Sequence, residues 1–596
     1  MGCFRKFIFL SLLTACLFLF SQRRTFAQAD LSPEGQRFLQ PQALRACGLY
    51  ELKQNEPNLN GSGLNIAVVC RSFTYKDGEP QNDYQPDVTH NCLKNARITF
   101  YDLGDPPAGT SAHSTAICSI LFGRDPSAYN TEIGDFSYEG IVPEANAHVF
   151  EFWHFLTDNI FPQIPPDCNI ITASIGSNTA DWWTRGIEAM AEQYGVTIVA
   201  GIGNGLSAYD LLLYPAAGAN AIGVGVVDCV NTADVSLQLS QFSRAQPEHS
   251  SFGPARDGRC KPDIVAPGNC LAGGSEPDLY EPTGNYTSFA TPIVAGAASL
   301  LMQKAKEQPA LSGALSPQGG NCVIKAILMN SATKLAFWHK GKVEKDDDHT
   351  VPLDYIQGAG MLNAQAAFEL LTAGKAEPGA VATAGWNLNR VDAGENLQNV
   401  YYLNIPDAEG KILTATLTWN RHYSQIYPFE PLPEKDVDLR LEIKAVNPEQ
   451  PQEDILIDYS DSAIDNVEHI YCRLDPNYSD YEIIVTVKNG KTDDISTEPY
   501  AIAWNVTEEP VDDDIFLYDL DTNGIVNEDD TMVLFDSWIK TILNPGFYFT
   551  GDINCDCVFD EKDIEAITEQ SGRKADWLNT EASNPLPAPE KAELIS

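Results

Sequence analysis

From residue 61 onward, short runs rich in branched apolar residues alternate with amphipathic or small-residue stretches. No other feature restricts the fold of this chain as strongly. The runs 64–69, 147–150, 170–175, 196–200 and 221–227 read as strands, and segments such as 113–122 and 182–194 between them read as helices. Strands alternating with helices predict an α/β domain built on a mostly parallel sheet with helices on both faces. The pattern continues through 323–331 and ends near residue 371.

At 596 residues the chain has room for about three or four domains. Residues 1–29 read as a secretory signal peptide: Arg5 and Lys6 lead an apolar core over 7–20, and Ala27-Gln28-Ala29 supplies a small-residue site with cleavage predicted after Ala29. Leu13-Thr14-Ala15-Cys16 has the form of a lipoprotein cleavage box, but the apolar run continues past Cys16, which argues against a lipid anchor. No later apolar run of about 18 residues suggests a membrane span. Removing the signal removes four basic residues and no acidic ones, leaving 35 basic against 82 acidic side chains, a formal charge of −47. So acidic a chain is poorly suited to nucleic acid or anionic membranes and well suited to an extracellular, calcium-binding protein. Twelve cysteines remain, an even number that permits disulfides without fixing their pairing.

The texture changes near 378. Residues 380–508 carry period-two segments (412–419, 437–443, 481–487, 500–506) separated by turns rich in Pro, Asp and Asn, the pattern of an antiparallel β-sandwich. An acidic hinge at 508–514 leads to a small helical module over 515–572, and 573–596, with Pro585, Pro587 and Pro589, reads as a disordered tail. The predicted organisation is therefore a signal peptide (1–29), an N-terminal extension (30–60), an α/β domain (61–372), a β-sandwich (380–508), the small module and the tail.

Three residues form a chemical constellation. Ser288 sits where a glycine-bearing turn, 284–287, runs into a small-residue helix containing Pro292, a residue tolerated in a first helical turn. His113 opens another helix, and Asn204 follows a buried strand between Gly203 and Gly205. Each alone reads as a cap, a structural histidine or a turn residue. Together they supply a nucleophile, a general base and an oxyanion donor, the parts of acyl transfer.

The motifs around them, in order, resemble the subtilisin-like serine proteases across about residues 60–370. Gly61-Ser62-Gly63-Leu64-Asn65-Ile66-Ala67-Val68-Val69 is similar to the first core strand, and His113-Ser114-Thr115 to the histidine motif, with Ser114 where glycine is usual. Gly140-Ile141-Val142-Pro143, Ser251-Phe252-Gly253-Pro254, Lys261-Pro262-Asp263-Ile264-Val265-Ala266-Pro267-Gly268 and Gly358-Ala359-Gly360 follow as they do in that family. The resemblance implies a secreted serine endopeptidase with Ser288 as nucleophile, His113 as base and Asn204 in the oxyanion hole. It also implies that Ser174, Ile175 and Gly176 receive the protein or peptide substrate and wall its pocket.

One position departs from the family. The first strand ends Val68-Val69-Cys70-Arg71, so the triad aspartate is Cys70. In subtilisin itself, loss of that aspartate alone costs about 3 × 10⁴ in kcat. Three readings of Cys70 stand: rescue of the triad by Asp77, a Cys70 thiolate paired with protonated His113, or a disulfide that dismantles the site. The 31 residues between Ala29 and Gly61 also lack the strand pattern of an inhibitory pro-domain. Two functional readings follow, an impaired protease or a non-catalytic pseudoprotease that binds peptides or partners. A third, the acid-acting serine-carboxyl relatives, is disfavoured by His113 and Asn204.

Behind the protease region, 380–508 resembles the jelly-roll domain that follows some subtilase catalytic domains. Asp519, Asp521, Asn523, Gly524, Asn527 and Asp530 then fit a calcium (Ca2+) loop, with oxygen donors at alternate positions and a glycine at the sharp turn. Asp552, Asn554, Asp556, Asp560 and Asp563 repeat the spacing, with Cys557 in place of the glycine. The duplicated loop-helix resembles dockerin domains and implies a cohesin-like partner.

Overall fold

The computed structural model describes residue 44 and residues 47–573 apart from internal stretches, the longest of them 230–241, 509–517 and 536–560. The predicted signal peptide, most of the predicted N-terminal extension and residues 574–596 of the predicted tail lie outside the described residues.

The first half is built on strands β1 (Asn65–Cys70), β2 (Arg97–Tyr101), β3 (Asn146–Glu151), β4 (Ile170–Ala173), β5 (Thr197–Gly201), β6 (Ile222–Cys229), β7 (Phe242–Ala245) and β8 (Ile264–Pro267). They form one eight-stranded sheet in the order β7-β6-β5-β4-β1-β3-β2, with β8 also paired to β6. Only β7 runs antiparallel; the other seven strands are parallel.

Successive side chains of a strand point to opposite faces, and β1 shows the consequence. Ile66, Val68 and Cys70 join a core shared with helices α1 (Ala112–Phe122), α3 (Thr287–Glu307) and α4 (Gly320–Asn330). Ala67 and Val69 join a second core with α2 (Trp182–Tyr194) on the other face. Helices thus cover both faces, as the alternation predicts. In α1 every residue from Ser114 to Phe122 is buried, as expected for a helix apolar all round. The small residues of α3 permit close packing: a Cβ on Gly296 would lie 2.7 Å from Ile141 Cγ2.

After α5 (Ala364–Ala373) come β9 (Ala384–Val391), β10 (Gln398–Asn404), β11 (Lys411–Trp419), β12 (Asp438–Val446), β13 (Ile455–Ser460), β14 (Val467–Arg473), β15 (Asp480–Asn489) and β16 (Glu498–Glu508). A four-stranded sheet, β9-β16-β11-β14, lies against a second sheet, β10-β15-β12-β13, that is extended at its β10 edge by Gly379–Ala380. They enclose a core containing Leu413, Leu417, Leu441, Ile483 and Trp504. β11 is buried on both sides because its alternate threonines face α4: Thr416 Oγ1 donates to Asn330 Oδ1 at 3.0 Å and Thr418 Oγ1 to the Cys322 carbonyl at 2.9 Å.

The loop between β11 and β12 reaches further. Phe429 is fully buried in the α2-side core of the first half, beside Ile160 and Gly186. Near it His422 bridges the halves, Nδ1 to Glu192 at 2.7 Å and Nε2 to Glu498 at 3.1 Å.

Among the described residues nine cysteines, including Cys70, are in no disulfide. In the small module the loop residues Asp519, Asp521, Asn523, Asp552, Asn554 and Asp556 lie outside the described residues. Asp530 and Asp563 lie within them and are fully buried, and Val526 exchanges backbone bonds with Gly572 (2.8 Å) and Arg573 (3.0 Å). Among the described residues no helix is long and apolar enough to cross a membrane.

Burial pulls the His422 pKa down, but its hydrogen bonds to Glu192 and Glu498 and their charges overcome this and leave it at about 10 against an ordinary 6.5. The folded protein therefore holds a proton in this window that the unfolded chain has released. The stabilisation is complete below about pH 6.5 and is lost as pH rises through about 10. His422→Gln is expected to flatten the fall of the unfolding midpoint across that window; an unaltered slope would dissociate His422 from it.

Candidate active site

The site is assembled from the C-terminal ends of β1, β4 and β5 and the N-termini of α1 and α3. Cys70 ends β1 on the face that packs α1 and α3, and it is 3% exposed. The Ser114 hydroxyl hydrogen-bonds its sulfur, and burial pushes the thiol up to about 11. Burial therefore favours a neutral thiol near neutral pH, against the thiolate reading, and Cys70 is in no disulfide. Asp77 lies outside the described residues.

His113 is the second residue of α1, whose start is capped by the Ser111 hydroxyl accepting from Ser114 N–H. Its ring lies 5.9 Å from that of Phe289, tilted by 52°, which brings it against the residue after Ser288. Burial lowers its pKa from 6.5 to about 4. The imidazole is thus neutral over most of the pH range and able to accept a proton.

Asn204 follows β5 through Gly203, whose φ of +114° and whose closeness to Ser251 Oγ (2.7 Å from an added Cβ) leave room only for glycine. Asn204 Oδ1 accepts from Thr287 N–H at 3.0 Å and Thr287 Oγ1 at 2.8 Å. An N–H can bond only to the amide oxygen, so the flip of this side chain is decided by chemistry. The Nδ2 group remains as a donor not engaged by the helix start.

The helix start differs from expectation. α3 begins at Thr287, so Pro292 stands in the second turn rather than the first. There it lacks the N–H that would bond the carbonyl of Ser288 four residues earlier. That carbonyl is satisfied from outside: Ser174 Oγ donates to it at 2.8 Å. Ser174, expected to wall the substrate pocket, therefore holds the backbone of Ser288. The Ser288 N–H, in the first helical turn, belongs to the donors that have no intrahelical acceptor.

Ile175 and Gly176 line a cleft of about 620 Å³ with Arg71, Phe152, Trp153, Leu156, Ser177, Asn178, Asp181, Trp182, Trp183 and Leu213. Arg71 lies over the Phe152 and Trp153 rings at 5.4 and 5.9 Å. Gly176 must be small, since a Cβ there would meet the Tyr214 carbonyl and Leu213 Cβ at 2.8 Å. The sequence reading named Ile175 and Gly176 but not the aromatic side of this cleft, which the pairs Phe152-Trp153 and Trp182-Trp183 signal. It also missed Thr287, the partner of Asn204.

Residues 52–360 match the family model described as the subtilase family, just over half of the chain. The protein belongs to the subtilase family. Serine protease AprX of Bacillus subtilis (strain 168) is 25% identical over 363 residues, covering 54% of this chain and 70% of AprX. Subtilisin BL of Lederbergia lenta is 29% identical over 199 residues, 33% of this chain and 56% of that protein. Pyrolysin of Pyrococcus furiosus is 27% identical over 230 residues, but the match spans only 15% of it. Serine-protease function is thereby supported at the level of the family, and the parallel sheet is that of this subtilase's fold class.

Removal of the Ser174 hydroxyl strands the Ser288 carbonyl. Ser174→Ala is expected to lower stability by roughly 0.5–1.5 kcal/mol in denaturant unfolding, the worth of one ordinary hydrogen bond. Ser174→Thr, which keeps a hydroxyl, is expected to recover most of it.

Proposed function

We propose that this subtilase is an exported serine endopeptidase that cleaves polypeptides through an acyl-enzyme on Ser288. His113 takes the Ser288 proton and returns it to the leaving amine, while Asn204 Nδ2 and the Ser288 N–H stabilise the oxyanion. The observation that carries this reading is the clasp of Asn204 Oδ1 on Thr287, which leaves an amide donor beside the nucleophile position. The aromatic cleft next to Ile175 and Gly176 supports an apolar substrate side chain at that wall. Export rests on the 1–29 segment. The small module takes calcium through Asp519, Asp521, Asn523 and Asp530 and through Asp552, Asn554, Asp556 and Asp563, and docks a cohesin-like partner; the burial of Asp530 and Asp563, the last donor of each set, supports this reading.

Catalysis is impaired relative to a complete triad. A neutral Cys70 bonded to Ser114 offers His113 no negative charge, so position 70 does not supply the carboxylate that stabilises the imidazolium formed as Ser288 attacks. The same observation favours the second reading, a pseudoprotease that holds peptides in the cleft without cleaving them.

A fluorophosphonate probe separates the two. Covalent labelling lost in Ser288→Ala supports the protease, and no labelling of folded, calcium-loaded protein supports the pseudoprotease. Restoring the charge should raise kcat by orders of magnitude, approaching the factor of about 3 × 10⁴ lost in subtilisin without its aspartate. The variant to test is Cys70→Asp combined with Ser114→Gly, since the serine occupies the space beside the sulfur. Asn204→Leu is expected to lower kcat by about 10²–10³.

The base must be neutral to act, so activity is present above its pKa and lost below it. With His113 at about 4, the acid limb of kcat/KM in the wild-type protein is expected near pH 4. A carboxylate at position 70 favours the protonated imidazole and should move that limb to higher pH. A limb fixed in both proteins would assign it to another group.

A further inference from the structure

The loop that the β-sandwich sends across the molecule ends beside the cleft. Residues 422–432 are closed on themselves: Leu432 N–H donates to the His422 carbonyl and Ser424 N–H to the Glu430 carbonyl, both at 2.8 Å. Arg185 of α2 clamps the tip, with Nε and Nη2 on the Pro428 carbonyl at 3.3 and 3.1 Å. Phe429 adopts φ +57°, a left-handed conformation that is disfavoured for a bulky residue. It is held there by burial of its ring in the core of the other half. With Phe429 inside, its predecessors stay outside: Ile426 is 78% exposed and Tyr427 52%.

These exposed side chains are contiguous with the cleft. The Tyr427 ring lies 5.6 Å from that of Trp182 and 5.6 Å from that of Phe161. Phe161, 57% exposed, stands edge-on to Trp182 at 6.3 Å. Trp182 is at the same time a wall of the cleft, together with Ile175. An apolar surface therefore runs from Trp182, at the cleft, onto Phe161 and Tyr427, and Ile426 is exposed next to Tyr427 in the chain. Contiguous exposed apolar surface of this kind marks a recognition site.

We propose that Phe161, Trp182, Ile426 and Tyr427 form a second recognition site, supplied in part by the β-sandwich, for an apolar or aromatic side chain of the polypeptide substrate remote from the scissile bond. The proposal rests on the reading of the cleft as a peptide-binding groove. Its place relative to the scissile bond follows from the contacts: Ser174 is bonded to the Ser288 backbone, the next residues Ile175 and Gly176 line the cleft, and Trp182 of the same cleft meets Tyr427. A peptide laid along 174–177 runs away from Ser288 toward Tyr427. An extended peptide turns alternate side chains to opposite faces, so the preference is confined to a single position of the substrate.

The test uses full-length Ser288→Ala protein, which binds without turnover, and short fluorescent peptides in which one phenylalanine is moved through a small-residue scaffold. Anisotropy titrations are expected to find one position, distal to the peptides' contacts near residue 288, where phenylalanine tightens binding about tenfold or more, as burial of such a ring implies. Ile426→Ser with Tyr427→Ser should abolish that preference, and Tyr427→Phe should retain it. Ile426→Ser alone, at a largely exposed position, checks that loss of preference is not loss of fold and should weaken it partially. Binding without any positional preference, or a preference that survives the double variant, overturns the proposal alone. Failure of every peptide to bind overturns it together with the groove reading.

Discussion

The seating of the α3 N-terminus is the constraint on which the rest depends. Two bonds from two different strands hold it: Ser174, after β4, takes the Ser288 carbonyl, and Asn204, after β5, takes the Thr287 N–H. Both bonds use backbone groups that the helix itself leaves unpaired. Pro292 removes the internal donor for the Ser288 carbonyl, and the N-terminal position of Thr287 leaves its own N–H without an acceptor. The helix start is thus incomplete by itself and is completed by the sheet. This fixes Ser288 relative to the strand ends more firmly than packing of small side chains alone.

Electrostatics at this joint are unusual for their absence. Cys70, Ser114 and His113 form a neutral group, with the thiol pushed up to about 11 and the imidazole down to about 4. Charge is buried elsewhere. Beneath the sheet Asp263 lies between Lys325 (2.8 Å) and Lys261 (2.5 Å), and the His422 bridge spans the halves. In both places each buried charge has a partner of opposite sign, as burial requires. The fold therefore tolerates interior ions, and the neutral site reflects the side chain at position 70 rather than a general avoidance of charge.

Much of this was legible in the chain. The alternation of branched runs and helical stretches yields the parallel sheet because each run is a whole strand: 64–69 becomes Asn65–Cys70, and 182–194 becomes Trp182–Tyr194. Ser288, His113 and Asn204 could be located because glycines and helix starts surround them, local features with local causes. Ser174 was not legible as the partner of Ser288, since that bond depends on which turn Pro292 occupies. The neutral state of Cys70 depends on burial between two helices distant in sequence. The Phe429 insertion depends on a left-handed residue in a loop, and no periodicity announces it.

The buried Phe429 also bears on how such chains diversify. The sandwich is attached not only by a linker, as modules that recombine freely are, but by a ring that completes the core of the preceding half and by threonines of β11 that satisfy Asn330 and Cys322 of α4. Exchanging it for another C-terminal unit would leave a ring-sized void under α2 and unpaired polar groups along α4. The two halves are thus bound to change together, and the sandwich belongs to the inheritance of the protease rather than to a stock of interchangeable appendages.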